Sequence, residues 1–170
     1  MRSTCNLPGL RQRALARQFH WLPAVHDLRP VPGLRHMALS VFDHWLTEAE
    51  ARQALVHVPM AEQQRRDRQL WGWALDCAAQ TEWLDFRFKG RRQQQLRLRA
   101  YTSAQALAMA WRPPSLGGGR RPLRHALLPQ QQAVVYEGHD HTWALVLPDP
   151  QDLAPWRLAA ARHGLHLLPG

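Results

Sequence analysis

The chain reads as an α+β domain whose antiparallel sheet is built from two hairpins, 83–101 and 132–148, with helices packed on one side. Three observations predict this. First, Leu84, Phe86 and Phe88 alternate with Asp85, Arg87 and Lys89, and after a Gly-Arg-Arg-Gln break Leu96 and Leu98 alternate with Arg97 and Arg99. That period of two is the signature of half-buried strands. Second, two further apolar arms, Ala133 to Glu137 and Thr142 to Leu147, meet across Gly138-His139-Asp140-His141. Third, the segments around the hairpins carry apolar residues at three-to-four spacing with helix start and stop signals.

Taken in order, residues 1–32 are punctuated by proline and read as an N-terminal arm, with one short helical candidate over Leu10 to Phe19. Trp21, Leu22 and Val25 are apolar enough to dock this arm on the body or on a partner. Residues 33–170 read as one domain. The run from Leu34 to Leu46 favours an extended entry through Met37, Leu39 and Val41. Thr47-Glu48-Ala49-Glu50 matches the capping box, so a helix starts there and runs to about His57. Pro59 breaks it, and Met60 to Gln80 follows as the longest helix. Leu70, Trp73 or Ala74, and Cys77 form its buried stripe, and Arg65, Arg66 and Arg68 crowd its start.

Past the first hairpin, Thr102-Ser103 caps a helix whose apolar side is Ala106, Leu107, Ala110 and Trp111. Residues 112–125, RPPSLGGGRRPLRH, are rich in Pro, Gly and Arg and read as a flexible basic loop. The second hairpin is apolar on both arms and therefore belongs at the centre of the sheet. A final helix, Leu153 to His163, tolerates Pro155 in its first turn and stops at Gly164, ahead of a short strand over Leu165 to Leu168. The order ββα recurs at an offset of about 48 residues, which suggests a duplicated unit. Residue identity between the halves is slight, and chance repetition of a common motif explains the recurrence better.

The 170 residues include 22 Lys and Arg against 13 Asp and Glu, a net charge of +9, and Lys89 is the only lysine. Arginine forks match phosphate and carboxylate and stack on bases, so this balance favours a polyanionic partner. A GC-rich coding sequence inflates arginine in the same way without any ligand. Two cysteines, Cys5 and Cys77, make neither a CxxC pair nor a disulfide framework, which points to a reducing, cytoplasmic setting. No apolar run approaches the roughly 18 residues of a membrane span, so no membrane partner is expected.

Enzymatic motifs are missing from the sequence. Gly117-Gly118-Gly119-Arg120-Arg121 lacks the Gly-Lys-Ser/Thr ending of a phosphate-binding loop. His139 and His141 alternate as metal ligands do, but a site needs a third ligand from elsewhere. No catalytic residue, metal or cofactor is therefore expected. The expected function is non-catalytic binding of nucleic acid, RNA or single-stranded DNA, as a small basic subunit of a larger complex. The alternative is an accessory subunit docking on an acidic protein.

The candidate site gathers Arg65, Arg66 and Arg68, the hairpin residues Arg87, Lys89, Arg91, Arg92, Arg97 and Arg99, and Arg120 and Arg121, with Trp83 and Tyr101 placed to stack on bases. Of the tryptophans, Trp45, Trp71, Trp73, Trp111, Trp143 and Trp156 read as core or interface anchors, and Trp21 and Trp83 as partly exposed.

Overall fold

A computed structural model describes residues 3–89, 95–119 and 121–170. Its helices begin and end where local chemistry says they should. Helix α1 spans Gly9–Gln18 and α2 spans Leu22–His26. Helix α3, Glu48–Leu55, starts at the expected capping box: the Thr47 hydroxyl accepts from the Glu50 N–H while the Glu50 carboxylate accepts from the Thr47 N–H at 2.8 Å. Helix α4, Met60–Gln80, follows Pro59 directly. Helices α5, Ala104–Trp111, and α6, Ala154–Arg162, complete the set, Ser103 capping the former through the Ala106 N–H.

The strands are β1 (Thr4–Asn6), β2 (Leu34–Ser40), β3 (Leu84–Lys89), β4 (Gln95–Tyr101), β5 (His125–Leu128), β6 (Ala133–Tyr136), β7 (Thr142–Pro148) and β8 (His166–Pro169). They form one eight-stranded antiparallel sheet in the order β1-β4-β3-β5-β6-β7-β2-β8. The apolar hairpin β6–β7 is interior and the charged hairpin β3–β4 lies towards one edge, as their patterns predict. Its connection carries positive φ at both Asp140 and His141, with the Thr142 N–H bonded to the His139 carbonyl, the geometry of a tight hairpin turn.

Two cores lie on opposite faces of the sheet. On one, α4, α5 and α6 bury Trp73, Trp83, Trp111, Trp143 and Trp156 together with Leu70, Leu145 and Leu147. Neighbouring indoles meet edge to face, Trp83 on Trp111 at 5.1 Å and Trp73 on Trp83 at 6.1 Å, a favoured aromatic arrangement. On the other face Leu7, Leu15, Phe19, Trp21, Leu22 and Val25 pack on Leu84, Phe86, Leu98, Leu127, Val134 and Val146. The N-terminal stretch is thus a wall of the domain.

Two expectations are corrected. Trp21 and Trp83, expected to be partly exposed, are buried, because each is covered by elements from elsewhere in the chain. Trp45, expected as an anchor, is 56% exposed and donates its indole N–H to the Pro169 carbonyl. Within 112–125, expected as a flexible basic loop, Pro114–Leu116 form a 3-10 turn fastened to α4: the Ser115 hydroxyl donates to Asp67 and its carbonyl accepts from Gln64.

Candidate functional site

The register of β3 and β4 fixes the geometry of the cationic face. Asp85 pairs with Arg99, Arg87 with Arg97 and Lys89 with Gln95, so these side chains share one face while Phe86, Phe88, Leu96 and Leu98 point to the other. Trp83 and Tyr101 stand on the cationic face too, at its base, where helices cover it. Trp83 is buried, and the Tyr101 hydroxyl accepts from the Trp111 indole N–H at 3.0 Å. Burial also pushes the Tyr101 phenol up. Of the two rings expected to stack on bases, Trp83 is packed between other tryptophans and Tyr101 is half-buried against Trp111.

Exposure rises along the ribbon. At its middle Asp85 is buried and receives the Arg99 guanidinium at 2.9 Å, with Arg87 at 3.8 Å. Beyond it Arg87, Lys89 and Arg97 are exposed. Arg87, Lys89, Arg97, Arg99 and Asn6 of β1 line one concavity of about 190 Å³. Arg87 and Arg97 oppose each other across the ladder, and like charges in that position repel. Lys89 and Arg97 have no acidic partner among the described residues. Among the described residues Asp85 alone offsets the four cations Arg87, Lys89, Arg97 and Arg99.

Next to this face the sheet opens. Strand β3 pairs with β5 only through Leu84 and Asp85, so Phe86 onward parts from it. The His125 ring donates to the Phe86 carbonyl at 2.6 Å, and burial lowers the basicity of that imidazole. The resulting notch, about 310 Å³, has Asp85, Arg87 and Arg124 among its lining residues. Arg124 was not among the residues singled out from the sequence. Reading His125-Ala126-Leu127-Leu128 as a strand would have placed Arg124 on the same face as Asp85.

The other expected site residues are held differently. Arg65 and Arg66 both bond Glu62 at 2.7 Å; Arg66 is buried, donates to the Ala54 carbonyl and lies 5.1 Å over the Phe42 ring. Arg68 is exposed and bonded to Gln64. Arg121 forms a two-pronged pair with Glu137, at 2.5 and 2.9 Å, and donates to the Trp111 carbonyl. Arg66 and Arg121 are thereby taken up by internal contacts. Arg91, Arg92 and Arg120 lie outside the described residues. His141 faces Asp67 at 3.3 Å, and among the described residues no three metal-ligating side chains gather. Nor is any helix among them long and apolar enough to cross a membrane.

Compared with protein-family models, with curated proteins and with solved structures, the chain matches none.

Proposed function

We propose that this protein is a non-catalytic nucleic-acid-binding subunit that grips the phosphate backbone with the cationic face of the β3–β4 hairpin. The observation that carries the reading is Arg87 set directly against Arg97, with Lys89 and Arg99 around the same concavity and Asp85 the one acid beside them among the described residues. An anion between the two guanidinium groups turns a repulsive cross-strand pair into two charge-assisted contacts.

The reverse of the ribbon rests on the N-terminal wall, the His26 ring lying tilted against Phe88 with centroids 4.7 Å apart. That rules against insertion into a duplex groove and favours surface contact with phosphates. Phosphate contacts position without reading sequence. Selectivity would then come from a partner, which is why we assign the protein to a larger complex. A second reading, docking on an acidic protein, draws on the same face, because with Trp83 buried it offers cations without a fully exposed ring.

A salt titration of RNA and DNA binding tests the first reading. Lys89→Ala or Arg97→Ala should reduce the slope of log affinity against log salt by about 0.7 for a single strand. Absence of salt-sensitive binding near physiological ionic strength would sink it. A nuclease-treated pull-down that retains a stoichiometric acidic protein, lost in Lys89→Ala, would move the assignment to the second reading.

A further inference from the structure

A second candidate site lies on the opposite face of the sheet and owes nothing to the polyanion reading. The N-terminal wall packs on β4, β3 and β5 and on Val134 and Val146 but ends with α2, and beyond it Tyr136 and Ala144, with Val146 at the floor, line a cavity of about 560 Å³. Val25, Leu28 and Pro30 close its other side. A volume of that order is typical of small-molecule sites, which lie mostly between about 300 and 1,000 Å³. The walls are apolar. Polar character comes from Arg29, His26, His36 and the buried Tyr136 hydroxyl, and among the described residues no carboxylate lines the space. Arg29 is held only by a surface pair with Asp27 at 3.2 Å, both side chains being mostly exposed, so it is free to turn to a ligand.

Leu28 is the second observation. Helix α2 ends in a Schellman motif: the Arg29 N–H reaches the Ala24 carbonyl at 2.8 Å and the Leu28 N–H the Val25 carbonyl at 2.9 Å. The residue in the left-handed position of that motif is ordinarily glycine. Here it is a leucine with φ 57°, 93% exposed, at the lip of the cavity. A branched side chain in a strained conformation that packs on nothing weakens the fold unless it contacts a ligand.

We propose that this cavity binds an apolar monocarboxylate, its hydrocarbon part against Val25, Leu28, Ala144 and Val146 and its carboxylate towards Arg29. The probe is octanoate, with 1-octanol as the uncharged control, followed by calorimetry and by amide shifts at Leu28 and Ala144. Octanoate should bind saturably with one site per chain, and 1-octanol roughly tenfold more weakly, the equivalent of one modest ionic contact.

Ala144→Phe, at a position already open to the cavity, should abolish binding, and Arg29→Ala should reduce it to the level of 1-octanol. Leu28→Gly should raise the urea midpoint and weaken octanoate together, a split that a merely structural role would not produce. Lys89→Ala should leave octanoate binding intact, which keeps this site apart from the hairpin. The proposal is overturned by the absence of saturable binding in the millimolar range, by equal affinity for 1-octanol, or by binding that survives Ala144→Phe and is lost in Lys89→Ala.

Discussion

Arg121 and Lys89 carry the same formal charge and meet opposite fates in the fold. The Arg121 and Glu137 side chains are each 11% exposed, and Glu137 also accepts the Arg124 N–H at 2.7 Å. Arg121→Ala leaves that carboxylate buried without its counter-ion, and stability should fall by about 3–5 kcal/mol in urea unfolding. Lys89→Ala and Arg97→Ala touch no acid among the described residues, so their stability change should stay within about 0.5 kcal/mol while polyanion binding drops. A result in which all three variants unfold alike would contradict this division. The cationic half of the site was legible in the sequence because strand parity is local. Once the hairpin is recognised, Arg87, Lys89, Arg97 and Arg99 must share a face. Trp83 and Tyr101 obey the same parity, yet nothing in the strands themselves records that α4 and α5 cover their base. The Glu62 partner of Arg66 stood four residues away and could have been anticipated. Glu137, sixteen positions from Arg121, could not.

Among the elements, α3 shows how far a local signal carries. The Thr47 backbone and hydroxyl donate to the Glu50 carboxylate, and with His44 they pull it down from 4.5 to about 2. A depressed carboxylate stabilises the fold above pH 4.5, and that contribution is lost as pH falls towards 2. His44 runs the other way. Its bonds to Asp43 and then Glu50 raise it above 6.5, so its contribution is complete below that pH and is lost as pH climbs through the raised value. Urea midpoints should therefore peak between these limits. Glu50→Gln should flatten the acid limb and His44→Ala the neutral one. Gly138 makes a sharper test of the second hairpin: a Cβ there would sit 2.1 Å from the Thr142 carbonyl oxygen, backbone that cannot swing aside. Gly138→Ala should cost about 1–3 kcal/mol. The capping box, the 21-residue α4 and both hairpins were readable because each rests on near neighbours. Strands β1 and β5, with three and four residues, are too short to show a period, and pairing with distant strands defines them.

At the scale of the whole molecule the decisive feature is that each face of the sheet carries a packed core, one under helices α4 to α6 and the other under residues 7–25. An arm that merely rested on a finished domain would tolerate truncation of its side chains. The packing says otherwise: Phe19 and Leu22 are as inaccessible as Leu145 and Leu147 of the central strand β7. If both faces belong to one cooperative unit, Leu22→Ala should lower stability by about 2–5 kcal/mol, the same range as Leu145→Ala, since each leaves a cavity in a core that cannot collapse around it. Fluorescence of the tryptophan-rich face and far-ultraviolet circular dichroism should then report a single transition for wild type and both variants. A Leu22→Ala protein that kept the wild-type midpoint by tryptophan fluorescence would show that the N-terminal wall folds separately. The face it covers carries the reverse side of the cationic ribbon, including Phe86 and Leu98. Loosening the wall should therefore weaken polyanion binding as well, although Leu22 lies on the opposite side of the sheet from the arginines, because the ribbon holds Arg87 against Arg97 only while its back is supported.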